Sequence, residues 1–116
     1  MKTRRGEVVL VLYPNSDLRT AKRRPALVLQ RDDLGSGLAQ TIVAMISSNV
    51  ARAGHPSRVL VIAASSEGRA AGVRLDSVIM TDNLATVLDS EIDSVLGRLP
   101  NMAAVDAAVR HTLGLA

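Results

Sequence analysis

No cysteine occurs among the 116 residues of the chain. Disulfides, thiolate nucleophiles and cysteine-based zinc sites are excluded with it, and the composition fits a reducing cytoplasm. Aromatic side chains are nearly as scarce: Tyr13 stands alone, with no Phe and no Trp. Single-strand binders of the RRM, cold-shock and OB types stack bases on aromatic rings, and this chain has no set of rings from which to build such a platform. No apolar run approaches the ~18 residues of a membrane-spanning helix, so no membrane partner is expected. The opening residues, Met1 to Glu7, are basic and lack the apolar stretch and small-residue cleavage site of a secretory signal. P-loop, Gly-x-Gly-x-x-Gly and Gly-x-Ser-x-Gly signatures are missing. The only two histidines, His55 and His111, have no spacing that supports a zinc site or an acid–base pair. Neither metal nor cofactor is expected.

What is present is a chain of one domain's length, taken as a single domain over residues 1–116, with 47% hydrophobic residues and hence enough to bury a modest core. The net charge of +3 is unevenly spread. Residues 1–34 carry eight Lys/Arg against four Asp/Glu, residues 35–74 four against one, and residues 75–116 two against six. A basic first two-thirds points to a polyanion-facing surface, with nucleic acid the default partner.

Glu7 to Tyr13 is apolar and β-branched between Gly6 and Pro14, and predicts a strand. A polar loop over residues 15–24 follows, then a second strand from Ala26 to Gln30. Further strands are predicted over Thr41–Ile46, Arg58–Ile62, Asp76–Thr81, Leu84–Leu88 and Ser94–Leu99, with a small-residue, mobile connection over Ala63–Gly72. Met102, Val105, Val109 and Leu113 fall on one helical face, with Pro100 at the first turn and Gly114 past the last. Many short strands and one terminal helix predict a mostly β fold with some α, a small closed or half-closed barrel carrying a C-terminal helix.

The sharpest local feature is Lys22-Arg23-Arg24-Pro25 ahead of Ala26-Leu27-Val28-Leu29. Proline biases the residue before it toward extended backbone, and the arginine fork is suited to phosphate. Three strand-end polar groups stand out: Arg24 entering the second strand, Ser47 leaving the third, and Asp82 leaving the fifth. A cation, a hydroxyl and a carboxylate suffice for metal-free RNA cleavage, in which the ribose 2′-OH is the nucleophile.

These residues sit within a wider pattern. Arg5-Gly6-Glu7 before a strand, Lys22-Arg23-Arg24-Pro25 before another, Ala44-Met45-Ile46-Ser47-Ser48, Leu75-Asp76-Ser77-Val78-Ile79 and Leu96-Gly97-Arg98-Leu99 follow one another in an order that resembles the MazF/PemK (Kid) toxin family. The resemblance implies an SH3-like barrel, of the MazF/CcdB type, working as a homodimer. It implies an mRNA interferase, a cytoplasmic endoribonuclease that cuts single-stranded RNA at short sequences and leaves 2′,3′-cyclic phosphate and 5′-OH ends. Its partner would be a cognate antitoxin, acidic and partly disordered. By position, Arg24 takes the role of the catalytic arginine, stabilising the phosphorane and acting as acid. Ser47 takes that of the phosphate-holding Ser/Thr, and Asp82 falls where the Kid branch has a catalytic aspartate. Lys22, Arg23, Asp17, Thr20 and Ser48 are the accompanying RNA-binding candidates.

The chain also departs from the pattern. Its first long loop is Asn15-Ser16-Asp17-Leu18-Arg19-Thr20, without the histidine of the Kid branch, and Met80 stands where that branch has an arginine. Each candidate has a plainer reading beside it. Ser47 can cap a turn, Asp82-Asn83 is a turn signal, and Asp17 can make an Asx-turn or anchor Thr20 or Lys22. Two other functions fit a barrel of this type: a non-catalytic toxin such as the gyrase poison CcdB, and a module that binds RNA or protein without chemistry.

Overall fold

The computed structural model describes residues 2–116. Six strands form one antiparallel sheet: β1 Glu7–Pro14, β2 Ala21–Val28, β3 Gln40–Ser47, β4 Arg58–Val61, β5 Ser77–Leu88 and β6 Ile92–Arg98, in the order β4-β5-β3-β2-β1-β6. Two helices, α1 Ser66–Ala71 and α2 Ala103–Leu113, complete the described residues with two single 3-10 turns.

Period-two alternation decides how this sheet is buried. Val9, Val11 and Tyr13 point to one face with Ala26, Val28, Val43, Met45, Val78, Met80, Val87 and Ile92. Val8 points to the other with Leu27, Ala44, Ile46, Ile79 and Val105 of α2. Ile92 from the β6 edge shares a core with Val78 and Met80 of β5. The sheet is therefore curled into the predicted barrel-like form, although no hydrogen-bonded pairing joins β4 to β6. The second face lies beneath α2, where Val109 and the residue preceding the helix, Met102, pack against it. Burying each of these aliphatic side chains is worth about 1.5–3 kcal/mol, so both faces of the central strands are firmly held.

Four sequence expectations need correction. The basic triplet is not in a loop, because β2 starts at Ala21 and Lys22, Arg23 and Arg24 pair with Tyr13, Leu12 and Val11. Asp76–Thr81 and Leu84–Leu88 are not separate strands but one, β5. Within it Met45 pairs with Met80 while the adjacent Ala44 pairs with Leu84, so Thr81, Asp82 and Asn83 form a bulge. The local Asp-Asn turn signal is expressed as that bend because Thr81 is tied to Ser57: its N–H and hydroxyl both donate to the Ser57 carbonyl, at 3.0 and 2.6 Å. The stretch Ala63–Gly72 contains α1, capped by the Ser65 hydroxyl accepting from Gly68 N–H at 3.0 Å. Finally, α2 begins at Ala103, with Met102 as its cap and the Asn101 side chain accepting from Ala103 N–H at 2.9 Å, so Pro100 precedes the helix.

Candidate active site

β2 and β3 separate at a proline. The Val28 carbonyl accepts from Gly6 N–H on the β1 side. In an antiparallel ladder the donor and acceptor of one residue point the same way and alternate along the strand. Leu27 and Pro25 therefore turn toward β3, and Pro25 has no N–H to offer. The β2–β3 pairing runs Val28–Val43, Leu27–Ala44, Ala26–Met45 and stops there. Continuing that register sets Arg24 opposite Ser47, in strands that have parted. On its other side Ser47 remains paired, with Val78 of β5.

The gap is a cleft of about 560 Å³, within the ~300–1,000 Å³ usual for ligand sites. Arg24, Ser47, Ser48 and Asn49 line it from one side, and Arg74, Leu75 and Ser77 from the segment after α1. The Ser47 hydroxyl accepts from Asn49 N–H at 3.1 Å, the turn-capping contact its position suggests. Its O–H is left to donate, and a phosphate oxygen is a suitable acceptor. The Arg24 Nη2 donates to Asn15 Oδ1 at 3.0 Å, which leaves most of its five donors uncommitted.

The far wall is held by backbone packed too closely for side chains. Gly72 ends α1 in the left-handed region at φ 74°, and a Cβ there would lie 2.2 Å from the Leu96 carbonyl oxygen. Across from it, a Cβ on Gly97 would lie 2.4 Å from the Ala70 carbonyl oxygen. These contacts pin α1 to β6 and fix where Val73 to Leu75 run. Arg74 was not a candidate from sequence, since nothing in its local pattern distinguishes it from other surface arginines.

The remaining candidates divide. Ser48 shares the cleft with Arg24 and Ser47. Lys22 is exposed, while Arg23, on the opposite face of β2 from Lys22 and Arg24, is ion-paired with Asp93 of β6. Asp17 and Thr20 lie in the β1–β2 loop, bonded to each other, and Thr20 also accepts from the Asn15 amide. Asp82 is not among the cleft residues: it sits in the β5 bulge, 2.8 Å from Arg58 Nη2, and that hydrogen bond holds its carboxyl below the usual range. Arg5 is a structural tie. It donates to the Leu29 carbonyl at 2.9 Å and pairs with Asp106 of α2 at 2.6 Å.

A smaller cavity of about 390 Å³ opens between the N-terminal segment and the β2–β3 loop. Its Lys2 is paired with Asp33 at 3.3 Å, so its charge is locally balanced. Among the described residues no three His, Asp or Glu side chains converge as metal ligands would, and no helix is long and apolar enough to cross a membrane.

The chain is similar to known proteins over nearly its whole length. The chain is 35% identical over 107 residues to the Mycobacterium tuberculosis endoribonuclease MazF6, covering 90% of each. Its fold superposes with TM-score 0.76 on a mycobacterial endoribonuclease solved with its cognate antitoxin, at 19% identity and with 99% and 98% of the two chains covered. It superposes with TM-score 0.74 on the Mycobacterium tuberculosis toxin MazF-mt6, at 24% identity over 95% and 98% of the chains. The PemK-like, MazF-like toxin family of type II toxin–antitoxin systems matches residues 4–113. With the family model spanning residues 4–113 and a 35% identical relative covered over 90% of both chains, the chain belongs to that family.

Proposed function

We propose that the chain is a toxin endoribonuclease that cleaves single-stranded mRNA at short sequences, with Arg24 and Ser47 as the residues that meet the scissile phosphate. The observation that carries this reading is their register: a guanidinium and a hydroxyl opposite each other across a strand gap, in one open cleft. In the proposed step the ribose 2′-oxygen attacks phosphorus and the bond to the 5′-oxygen breaks. A proton leaves the 2′-oxygen and another reaches the 5′-oxygen. The products are a 2′,3′-cyclic phosphate and a 5′-OH, with no net consumption of water or metal. Negative charge grows on the non-bridging oxygens as the phosphorane forms, and the Arg24 fork is the group placed to stabilise it. The Ser47 O–H fixes the same phosphate. Arg74, exposed on the opposite wall, supplies a cation for a neighbouring phosphate, and Lys22 and Ser48 extend the track. Asp82, bonded to Arg58 and outside the cleft, is assigned to holding the β5 bulge.

The same reading includes a cytoplasmic setting, a homodimer and an antitoxin. The edge strands β4 and β6 expose Leu60, Val95 and Leu96, each at least 40% accessible, which a second copy would cover. An acidic, partly disordered antitoxin segment would complement the basic cleft and exclude RNA from it. The direct test incubates the purified chain with single-stranded RNA in EDTA. Cleavage with cyclic phosphate ends, lost in Arg24→Ala at unchanged thermal stability, supports the reading. A chain that binds RNA or a protein target but leaves the RNA intact is a non-catalytic toxin or a binding module, the alternatives first considered.

A further inference from the structure

Arg24 is not loose in the cleft. Its Nη2 donates to Asn15 Oδ1 at 3.0 Å, and the Asn15 amide nitrogen donates to Thr20 Oγ1 at 2.9 Å. Thr20 Oγ1 lies 3.1 and 3.0 Å from the two carboxylate oxygens of Asp17. Asp17 also accepts from the N–H groups of Arg19 and Thr20, at 2.9 and 3.0 Å.

The direction of this chain follows from donor and acceptor inventory alone. An ionised carboxylate only accepts. The Arg19 N–H, then the Thr20 N–H and hydroxyl, hold the Asp17 carboxyl below its usual range and so keep it ionised. The Thr20 hydrogen must then point at Asp17, which leaves a Thr20 lone pair for Asn15. Asn15 must meet that lone pair with its NH₂ side, and its carbonyl oxygen is thereby turned toward Arg24. Reversing the amide would set NH₂ against guanidinium, two donors facing each other. The loop backbone reinforces the arrangement: Asn15 N–H donates to the Thr20 carbonyl at 2.9 Å and Leu18 N–H to that of Asn15 at 3.0 Å.

We propose that Asn15 is the positioning residue for Arg24, and that Asp17 acting through Thr20 fixes the orientation of its amide. The proposal rests on the reading of Arg24 as the catalytic cation. It gives Asp17 and Thr20 a role behind the arginine rather than on the RNA. Arginine presents a planar fork, so a small rotation about its last bonds misdirects donors that a phosphorane needs in place, and misplacement of this order costs about ten- to a hundredfold in rate.

The test has two arms. In the first, nitrogen-detected NMR of the RNA-free protein follows rotation of the Arg24 guanidinium, assigned by its disappearance in Arg24→Lys. Rotation should be slow in the wild type, fast in Asn15→Ala, and slow again in Asn15→Asp, which keeps an acceptor oxygen. Thr20→Val should speed it and Thr20→Ser should not. In the second arm, turnover is measured on an RNA oligonucleotide carrying the cleavage site mapped with the wild-type protein. Asn15→Ala should lower kcat about ten- to a hundredfold with KM within about threefold, and Asn15→Asp should restore most of it. Unchanged guanidinium rotation in Asn15→Ala overturns the proposal. So does a loss confined to KM, which would make Asn15 an RNA contact, or failure of Asn15→Asp to rescue where its thermal stability matches wild type. A wild-type protein that cuts no RNA defeats the assignment of function instead, and the NMR arm still reports on the bond between the two side chains.

Discussion

Arg24 and Ser47 stand opposite one another where β2 and β3 part, one register step beyond the proline that ends their pairing. The pairing stops where Pro25 presents no N–H to the strand it faces. Pro25→Ala supplies that donor. The β2–β3 ladder should then extend to Ile46 and close the mouth of the cleft. Turnover is expected to fall about tenfold or more while the melting temperature holds or rises. Hydrogen exchange checks it directly, because the new amide at position 25 should be protected.

The wall carrying Arg74 depends on backbone contact between α1 and β6. Gly97→Ala forces a methyl to within 2.4 Å of the Ala70 carbonyl oxygen, and neither backbone can retreat cheaply. A loss of about 1–3 kcal/mol is expected, measured by denaturant unfolding. Arg74→Ala, by contrast, should keep stability, weaken RNA binding and flatten its salt dependence.

Much of this could be read from sequence, and what could not has a common reason. A β-branched apolar run between Gly6 and Pro14 gave β1, and the 3-4-4 spacing of Met102, Val105, Val109 and Leu113 gave α2. Arg24 and Ser47 were legible because each lies beside a local punctuation mark, a proline and a strand end. Their mutual position was not, since register is a property of two strands and no residue of either announces it. Asp82 illustrates the converse. Its turn signal was real, but its pairing with Arg58 depends on β4 lying against β5. The basic triplet looked like a loop because its residues are polar. It is strand because β1 supplies its backbone partners, and tertiary pairing overrides side-chain preference.

Asp82→Asn separates the catalytic from the structural reading of that residue. Cleavage should be nearly unchanged, and the melting temperature should drop by less than about 5 °C at neutral pH. Arg58 lowers the Asp82 carboxyl below its ordinary 3.8. The carboxylate therefore contributes stability above that value, and the contribution disappears as pH falls through the depressed one. Wild type and variant should accordingly converge in melting temperature on acidification below about pH 4.

Tyr13 offers a clean spectroscopic probe, being the only aromatic residue of the chain. Its hydroxyl donates to the Asn83 carbonyl at 2.6 Å, at the β5 bulge, and burial pushes its ionisation up from 10.0 to about 12. The folded state holds this proton more tightly than the unfolded state. The resulting stability is complete below pH 10 and is lost as pH rises toward about 12. Ultraviolet titration of tyrosinate should show a late transition in the native protein and an ordinary one in denaturant.

In the proposed reaction the RNA supplies its own nucleophile at the Arg24–Ser47 cleft. The most direct measurement replaces the single 2′-OH at the mapped cut site with hydrogen and assays cleavage in EDTA. Cleavage should stop at that bond, while the substituted strand still binds and competes with unmodified RNA. Continued cutting of the deoxy-substituted bond would contradict it.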